Sequence, residues 1–463
     1  MRRGTSFDGD TRAAGQAYGV ILGGEGKRLE AVVGRGEARG VVALVRVDFN
    51  VPVEREDETG RVRVADASRI DSAMATLTAL SDGGAKVVVA SHLGRPGGVW
   101  REALSLRPVA EVLGALLHAG GRGGRWRGLV AGGCVGKERE AAVAGMKEGD
   151  VLLLENLRFE AGEEADDPEF ARQLARGCEL FVNDAFGCSH RAHASVTLNG
   201  VDWVRRVPGL LLRSEVETLY PVLASPARPM LTVVGGSKVA DKLGVLRAVL
   251  KVADVLCVGG KMAFAFLAAQ GERISDDKVG DPAHVALAVE VLEEAARRGV
   301  RVVLPVDVVC GVAVNGSRGL VSGNVRSICA DQGCGVGNAN LADPGVVTGD
   351  VGPRTLDLYA SEIAEARTVL WNGPVGIFEV DAFSEGTHRL GELVAQATER
   401  GAVTVVGGGD TGLALAQAGA KDRVGFVSTG GGATLEFIEL FGAGRVLPGI
   451  ASLAIDDAPA TQA

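Results

Sequence analysis

The chain has 463 residues, 46% of them hydrophobic but only 4% aromatic, with 67 glycines and a formal net charge of −9. That is length enough for two domains with separate cores, and scarce aromatics with abundant glycine favour stacked α/β units over an all-β or disordered chain. Net acidity argues against a nucleic-acid partner, and no apolar run is long enough to span a bilayer, so neither nucleic acid nor membrane is expected.

Seven cysteines (Cys134, Cys178, Cys188, Cys257, Cys310, Cys329 and Cys334) form no CxxC pair and no zinc spacing, which points to a reducing compartment. A cytoplasmic location is expected, with organellar targeting by an N-terminal extension left open. Residues 1–35 mix Arg and Gly with Asp8, Asp10, Glu25 and Glu30, whereas a transit peptide is poor in acids. They are expected to be a disordered leader or extension.

The first strand is Val41–Val47, ending in Asp48-Phe-Asn50. A helix from about Ser68 follows, then the strand Lys86–Ala90 into Ser91-His-Leu-Gly-Arg95, and a helix from about Arg107. Val151–Leu154 runs into Glu155-Asn-Leu-Arg158, and Leu180–Val182 runs into Asn183-Asp-Ala-Phe-Gly187. Strands that all end in polar or basic residues describe a parallel sheet with an electropositive ligand edge. An apolar helical run over 208–224 predicts a connector. A second β/α series then starts: Met230–Val234 into Gly235-Gly-Ser-Lys238, Val255–Val258 into Gly259-Gly260, Val302–Leu304, and Thr368–Leu370 into Trp371-Asn372. It ends with Ala402–Val406 into Gly407-Gly-Gly-Asp-Thr411 and Val424–Val427 into Ser428-Thr-Gly-Gly-Gly432. The Gly-, Asn- and Ser-rich stretch 311–349 reads as a long irregular excursion.

The two final glycine clusters are strand-to-helix turns, which aim backbone N–H groups and a helix N-terminus at one point. A tight βα connection accounts for either alone; two together suggest a phosphate-rich site. Gly407, Gly409 and Gly412 also satisfy the dinucleotide pattern G-x-G-x-x-G, but the next strand ends in Ser428-Thr429 instead of an acid for the ribose. Asp410 inside the turn would repel a bare phosphate unless a divalent cation lies between them. A metal-chelated nucleoside polyphosphate is therefore favoured over NAD. Lys238 and Lys242, spaced i, i+4, are expected on one face of the helix after Gly235-Gly236. Arg69, Arg95, Arg158 and Arg191, with His92, His190 and His193, gather at strand ends of the first half. A lone surface arginine is a solvated charge, but several on one sheet edge suit a small phosphorylated acid.

In order, Val45-Arg-Val-Asp-Phe-Asn-Val-Pro52, Ser91-His-Leu-Gly-Arg-Pro96, Glu155-Asn-Leu-Arg-Phe159, Asn183-Asp-Ala-Phe-Gly187, His190-Arg-Ala-His193, Gly235-Gly-Ser-Lys-Val-Ala-Asp-Lys242, Leu370-Trp-Asn-Gly-Pro-Val-Gly-Ile-Phe-Glu379, Gly407-Gly-Gly-Asp-Thr411 and Ser428-Thr-Gly-Gly-Gly-Ala433 resemble phosphoglycerate kinase over roughly Val41 to Gly449. The resemblance implies two Rossmann-like α/β domains with parallel sheets and hinge-bending. An N-terminal 3-phosphoglycerate domain would span 36–207, a connecting helix 208–224 and a C-terminal nucleotide domain 225–440, with the tail 441–463 returning to the first. It implies that Asp48, Asn50, Arg69, His92, Arg95, Arg158 and Arg191 hold 3-phosphoglycerate. Gly236, Lys238, Lys242, Gly260, Asn372, Glu379, Gly409, Asp410 and Thr411 would bind ATP or ADP, with Asp410 on Mg2+. Arg69, Lys238, Gly408 and Gly431 would serve the transferring group.

The implied reaction is reversible phosphoryl transfer between 1,3-bisphosphoglycerate and ADP by a monomer. The domains are expected to close over both substrates, hinging near 208–220 and 447–449. The alternatives are a nucleotide-binding homologue without turnover and an NAD-dependent Rossmann oxidoreductase. The chain departs from the family pattern at Lys261, over 311–349 and at Phe441-Gly-Ala443.

Overall fold

Most of the apolar runs form strands of two parallel sheets. The computed structural model describes residues 15, 18–19, 21–22, 28–55, 62–130, 132–313, 320–327 and 346–455, of which 311–313, 320–327 and 346 are backbone alone. In chain order the strands are β1 Val42–Arg46, β2 Val53–Arg55, β3 Val62–Val64, β4 Lys86–Ala90, β5 Trp126–Leu129, β6 Val151–Leu153, β7 Leu180–Asn183 and β8 Arg205–Pro208. They continue as β9 Met230–Val234, β10 Val255–Val258, β11 Arg301–Val303, β12 Asp307–Ala313, β13 Leu320–Ser327, β14 Val346–Val351, β15 Thr368–Asn372, β16 Val403–Gly407 and β17 Phe426–Val427. The chain forms two compact units, one holding the described residues up to Glu217 and from Arg445 onward, the other spanning Thr218–Gly444. The division falls within the helix Leu210–Ala224.

The sheet of the first unit has the order β5-β6-β4-β1-β7-β8, parallel throughout. The chain moves outward from β1 through β4 and then crosses back to β7, so a switch point lies at the C-terminal end of β1, where α/β sheets bind ligands. All five β1 residues are buried. The helix Ser68–Asp82 covers the sheet with Ile70, Ala73, Leu77 and Leu80, one apolar stripe at helical spacing.

The expected leader stops short of residue 35. Leu29–Gly34 is a helix whose Leu29 and Val32, one turn apart, are buried in this same core. Polar neighbours and the short length hid it in the sequence. Deleting residues 1–34 is therefore expected to destabilise the protein by about 2–5 kcal/mol and lower its melting temperature by roughly 5–15 °C. Calorimetry on the truncated and full chains reads this, and equal melting temperatures would make the helix dispensable.

The chain's last described residues return to the first unit. Leu447, Ile450 and Leu453 are fully buried. The Asn183 amide donates to the Gly449 carbonyl at 3.1 Å, and the Gly449 N–H donates to the Ser189 carbonyl at 2.8 Å.

The second sheet has the order β11-β10-β9-β15-β16-β17, also parallel, and its switch point lies between the paired strands β9 and β15. Between β11 and β15 the structure corrects the expected excursion. β13, β12 and β14 form an antiparallel sheet there, with Val309 opposite Asp350. Alternation through Val308, Cys310 and Val312 encodes the strand, but surrounding Gly, Asn and Ser obscured the pattern. Residues 314–319 and 328–345 of that stretch lie outside the described residues.

The described cysteines Cys134, Cys178, Cys188, Cys257 and Cys310 are free and buried. No helix among the described residues is long and apolar enough to cross a membrane.

Candidate functional site

In the first unit, three connections leaving β1, β4 and β6 are tied together by side chains at the strand ends. The Ser91 hydroxyl donates to the Val47 carbonyl and accepts from Phe49 N–H, both at 2.8 Å. The Asn50 side-chain oxygen accepts from Gly94 N–H at 2.8 Å. Arg158, buried, donates to the Gly94 carbonyl at 2.7 Å and lies 3.2 Å from Glu164. Arg69, at the start of the helix Ser68–Asp82, donates from Nη1 to Asp48 Oδ2 and to the Asn50 carbonyl, each at 3.0 Å. Asp48, Asn50, Arg69, His92 and Arg158 thus stand on one sheet edge. Arg191 follows β7, donating to His190 Nε2 at 3.1 Å, and Arg95 lies exposed in the connection after β4.

Beneath this edge lies a buried charge network that sequence reading missed. Arg46, on the central strand, donates to Ser195 Oγ at 2.8 Å and lies 4.0 Å from Glu163 and 3.3 Å from His92 Nδ1. Glu163 accepts from the Ser195 hydroxyl at 2.7 Å. Burial, reinforced by the charges of Arg46 and Arg158, holds His92 well below the ordinary imidazole range. His193 is brought down to about 4 by burial and then by Arg158 and Arg46. Both imidazoles are neutral at pH 7, so the positive charge of this edge comes from its arginines.

In the second unit a cavity of about 610 Å³ opens at the C-terminal strand ends. The structure brings to it Gly236, Lys238, Lys242, Gly260, Asn372, Glu379, Gly408, Gly409, Asp410, Thr411 and Gly431, the second-half positions that the resemblance assigned to the nucleotide and the transferring group. Gly408 caps the helix Gly409–Gln417 and Gly431 caps the helix Gly432–Gly442, so two helix N-termini border the cavity. The turns after β9, β10 and β15 pack backbone to backbone. A Cβ on Gly373 would come within 2.4 Å of the Gly235 carbonyl oxygen, and one on Gly260 within 2.7 Å of that of Gly236.

One expectation is corrected here. The helical turns after Gly235-Gly236 begin only at Ala240, so Lys238 lies before them and the i, i+4 face does not exist. Both lysines nevertheless line the cavity. The Lys242 ammonium donates to Asn372 Oδ1, and burial brings it down to about 8, opposed by the carboxylates of Asp410 and Asp241.

Asn372 is buried, and its Nδ2 has no hydrogen-bond partner. That donor lies 3.2 Å from where a Gly407 Cβ would be, beside the glycine turn. A buried N–H₂ left unpaired costs on the order of 1–3 kcal/mol, which a ligand oxygen would recover. The Thr411 hydroxyl accepts from Gly373 N–H at 2.9 Å, leaving its own proton to donate. Asp410 lines the cavity and is exposed in the first turn of its helix.

The cavity is also lined by the apolar residues Phe264, Pro305, Val308, Val351 and Leu435, and by Lys261, which is exposed. Asp350, also lining it, went unread in the sequence. It accepts from Gly386 N–H at 2.6 Å and Val351 N–H at 2.9 Å, and burial pushes its carboxyl up to about 7. Its place just before Val-Gly-Pro353 was the available signal.

Residues 35–440 match the family model for phosphoglycerate kinase. The chain is 43% identical over 411 residues to the phosphoglycerate kinase of Chloroflexus aggregans, covering 89% of this chain and 95% of that one. Its identity to that of Moorella thermoacetica is 44%, at the same coverage. The solved phosphoglycerate kinase of Coxiella burnetii superposes with a TM-score of 0.74 at 36% identity, covering 90% of this chain and 96% of that one. That of Pyrococcus horikoshii gives 0.72 at 27% identity, with the same coverage.

Proposed function

Because the chain belongs to the phosphoglycerate kinase family, we propose that it transfers a phosphoryl group reversibly between 1,3-bisphosphoglycerate and ADP, with each substrate held by one unit. The second-unit cavity takes the magnesium-complexed nucleotide. Asn372 Nδ2, Lys242, Lys238 and the N–H groups of the two glycine turns would grip its phosphates. Thr411 would add a hydroxyl, Glu379 would reach the nucleotide, and Gly236 and Gly260 would line its pocket. Asp410 would hold magnesium, which when bound would supply positive charge to offset that of the phosphates. The first-unit edge takes 3-phosphoglycerate, with Asp48, Asn50, His92, Arg95, Arg158 and Arg191 orienting it. Arg69 and Lys238, with the turns at Gly408 and Gly431, stabilise the charge on the phosphoryl group in flight. Phosphoryl transfer needs positioning and charge neutralisation, so no protein nucleophile is required.

The observation that carries this reading is the buried, unpaired Asn372 Nδ2, on an amide whose oxygen is held by Lys242, beside the glycine turn. A coupled assay for ATP-dependent phosphorylation of 3-phosphoglycerate tests it, and no turnover by the intact, folded chain would overturn it.

Two expected results follow. Asp410→Asn weakens magnesium-nucleotide binding roughly tenfold or more, about 1.4 kcal/mol, while 3-phosphoglycerate affinity stays constant in calorimetry. Equal losses for both would make the carboxylate structural. Lys242 is charged below about 8 and loses its proton above it. Nucleotide affinity is therefore full below that pH and falls as pH rises through it. The fall is absent in Lys242→Met, and a wild-type affinity flat across this range would remove Lys242 from the phosphate contacts.

A further inference from the structure

Asp48, His92 and Cys188 sit in the connections that leave β1, β4 and β7, three neighbouring strands with β1 in the middle. One ligand atom from each, a carboxylate oxygen, an imidazole nitrogen and the thiol sulfur, all fall within 4.8 Å of one another. His92 and Cys188 are buried and Asp48 is half-buried. We propose that this trio is a binding site for a thiophilic divalent cation such as Zn2+, separate from the magnesium position at Asp410.

The donor set decides which ion fits. Magnesium wants near-octahedral oxygen, whereas one sulfur, one imidazole nitrogen and one carboxylate oxygen are a three-ligand zinc set with an open fourth position. Zinc bonds of about 2.0–2.3 Å in a tetrahedron separate ligand atoms by roughly 3.5 Å, so closing the trio needs side-chain shifts on the order of 1 Å. The imidazole is already neutral, as a ligand must be. Burial pushes the Cys188 thiol up to about 12, so without metal it is protonated and inert. On binding, the sulfur–zinc bond forms as the S–H bond breaks and the proton leaves to solvent, so the site gains one positive charge instead of two.

That smaller gain matters because arginines border the trio. Arg69 holds Asp48 at 3.0 Å and Arg46 lies 3.3 Å from His92 Nδ1, so the ion must draw Asp48 away from Arg69. Arg46 is itself opposed by Glu163 at 4.0 Å and Arg158 by Glu164 at 3.2 Å. One consequence rests on the substrate assignment above. Asp48 and His92 cannot serve the ion and 3-phosphoglycerate together, so the two ligands exclude each other.

Co2+ and Zn2+ titrations of the full chain test the site. A sulfur-to-cobalt charge-transfer band is expected in the wild type and in a Cys329→Ser/Cys334→Ser variant, but not in Cys188→Ala or the near-isosteric Cys188→Ser. Zn2+ affinity should fall at least about 100-fold in both Cys188 variants, with turnover on the magnesium-nucleotide in the absence of Zn2+ unchanged. Zn2+ should inhibit the wild type competitively with 3-phosphoglycerate and not with nucleotide. No band in the wild type, or a band that survives loss of Cys188, overturns the site. A Cys188-dependent band with Zn2+ and 3-phosphoglycerate bound together supports the metal site and overturns the substrate roles of Asp48 and His92.

Discussion

Arg69→Ala is expected to lower kcat by about 10²–10³, a loss of roughly 3 kcal/mol in transition-state stabilisation, with a much smaller change in 3-phosphoglycerate affinity. The guanidinium uses Nη1 on Asp48 and the Asn50 carbonyl, which fixes its plane, and the side chain remains 37% exposed. A fixed, partly open cation works best on charge that grows during transfer, which is why turnover suffers more than binding. Removing it also leaves Asp48 without its ion partner beside an anionic ligand, so a modest rise in KM is expected. Arg69→Lys restores the charge without the planar guanidinium and should recover only part of the loss. Steady-state kinetics and isothermal titration separate the two effects, and a kcat within twofold of wild type would remove Arg69 from the transfer step.

Gly373→Ala is expected to be strongly destabilising to the second unit. Gly373 has φ +91°, and a Cβ there would lie 2.4 Å from the Gly235 carbonyl oxygen and 2.7 Å from the Gly235 carbonyl carbon. Both neighbours are backbone at the end of the adjacent strand β9 and cannot swing aside. Left-handed strain and overpacking then act together, for about 3–5 kcal/mol. Gly271→Ala is the control. Its φ of +94° is similar, but nothing lies within 4 Å of the added carbon, so only the strain remains. Urea denaturation of both variants reads the difference. Equal losses would show that the packed turns have room to yield. Because Gly373 N–H also donates to Thr411, Gly373→Ala should weaken nucleotide binding even where the protein stays folded.

These two sites also show where the sequence was informative. β4, β9 and β10 were legible to the residue because each is a β-branched, apolar run closed by polar or glycine residues. β5 and β8 were not, since Trp126-Arg-Gly-Leu129 and Arg205-Arg-Val-Pro208 carry arginines inside the strand. Arg206 is tolerated there because its guanidinium donates to the carbonyls of Thr197 and Leu198, a fact no local pattern contains. The cavity positions were legible for the opposite reason, as glycine turns after strands announce themselves. Lys238 was misplaced because spacing implies a shared helix face only where a helix exists. Arg46 and Glu163, 117 positions apart in sequence, define each other only after folding, so neither could be singled out beforehand.

The return of the chain's end to the first unit has a temporal consequence. A ribosome delivers residues in order, so the sheet β5-β6-β4-β1-β7-β8 emerges long before Leu447, Ile450 and Leu453, which are fully buried in the same unit. The segment Thr218–Gly444 is contiguous and needs nothing made after it. During synthesis the half translated later is thus the one that can finish first. The earlier half is held as an uncapped intermediate for the time needed to translate more than two hundred further residues, about 10–50 s at ordinary elongation rates. The nascent chain is most exposed to chaperones and proteases during that interval, and a premature stop near residue 444 would leave a second unit able to fold attached to a first unit unable to finish.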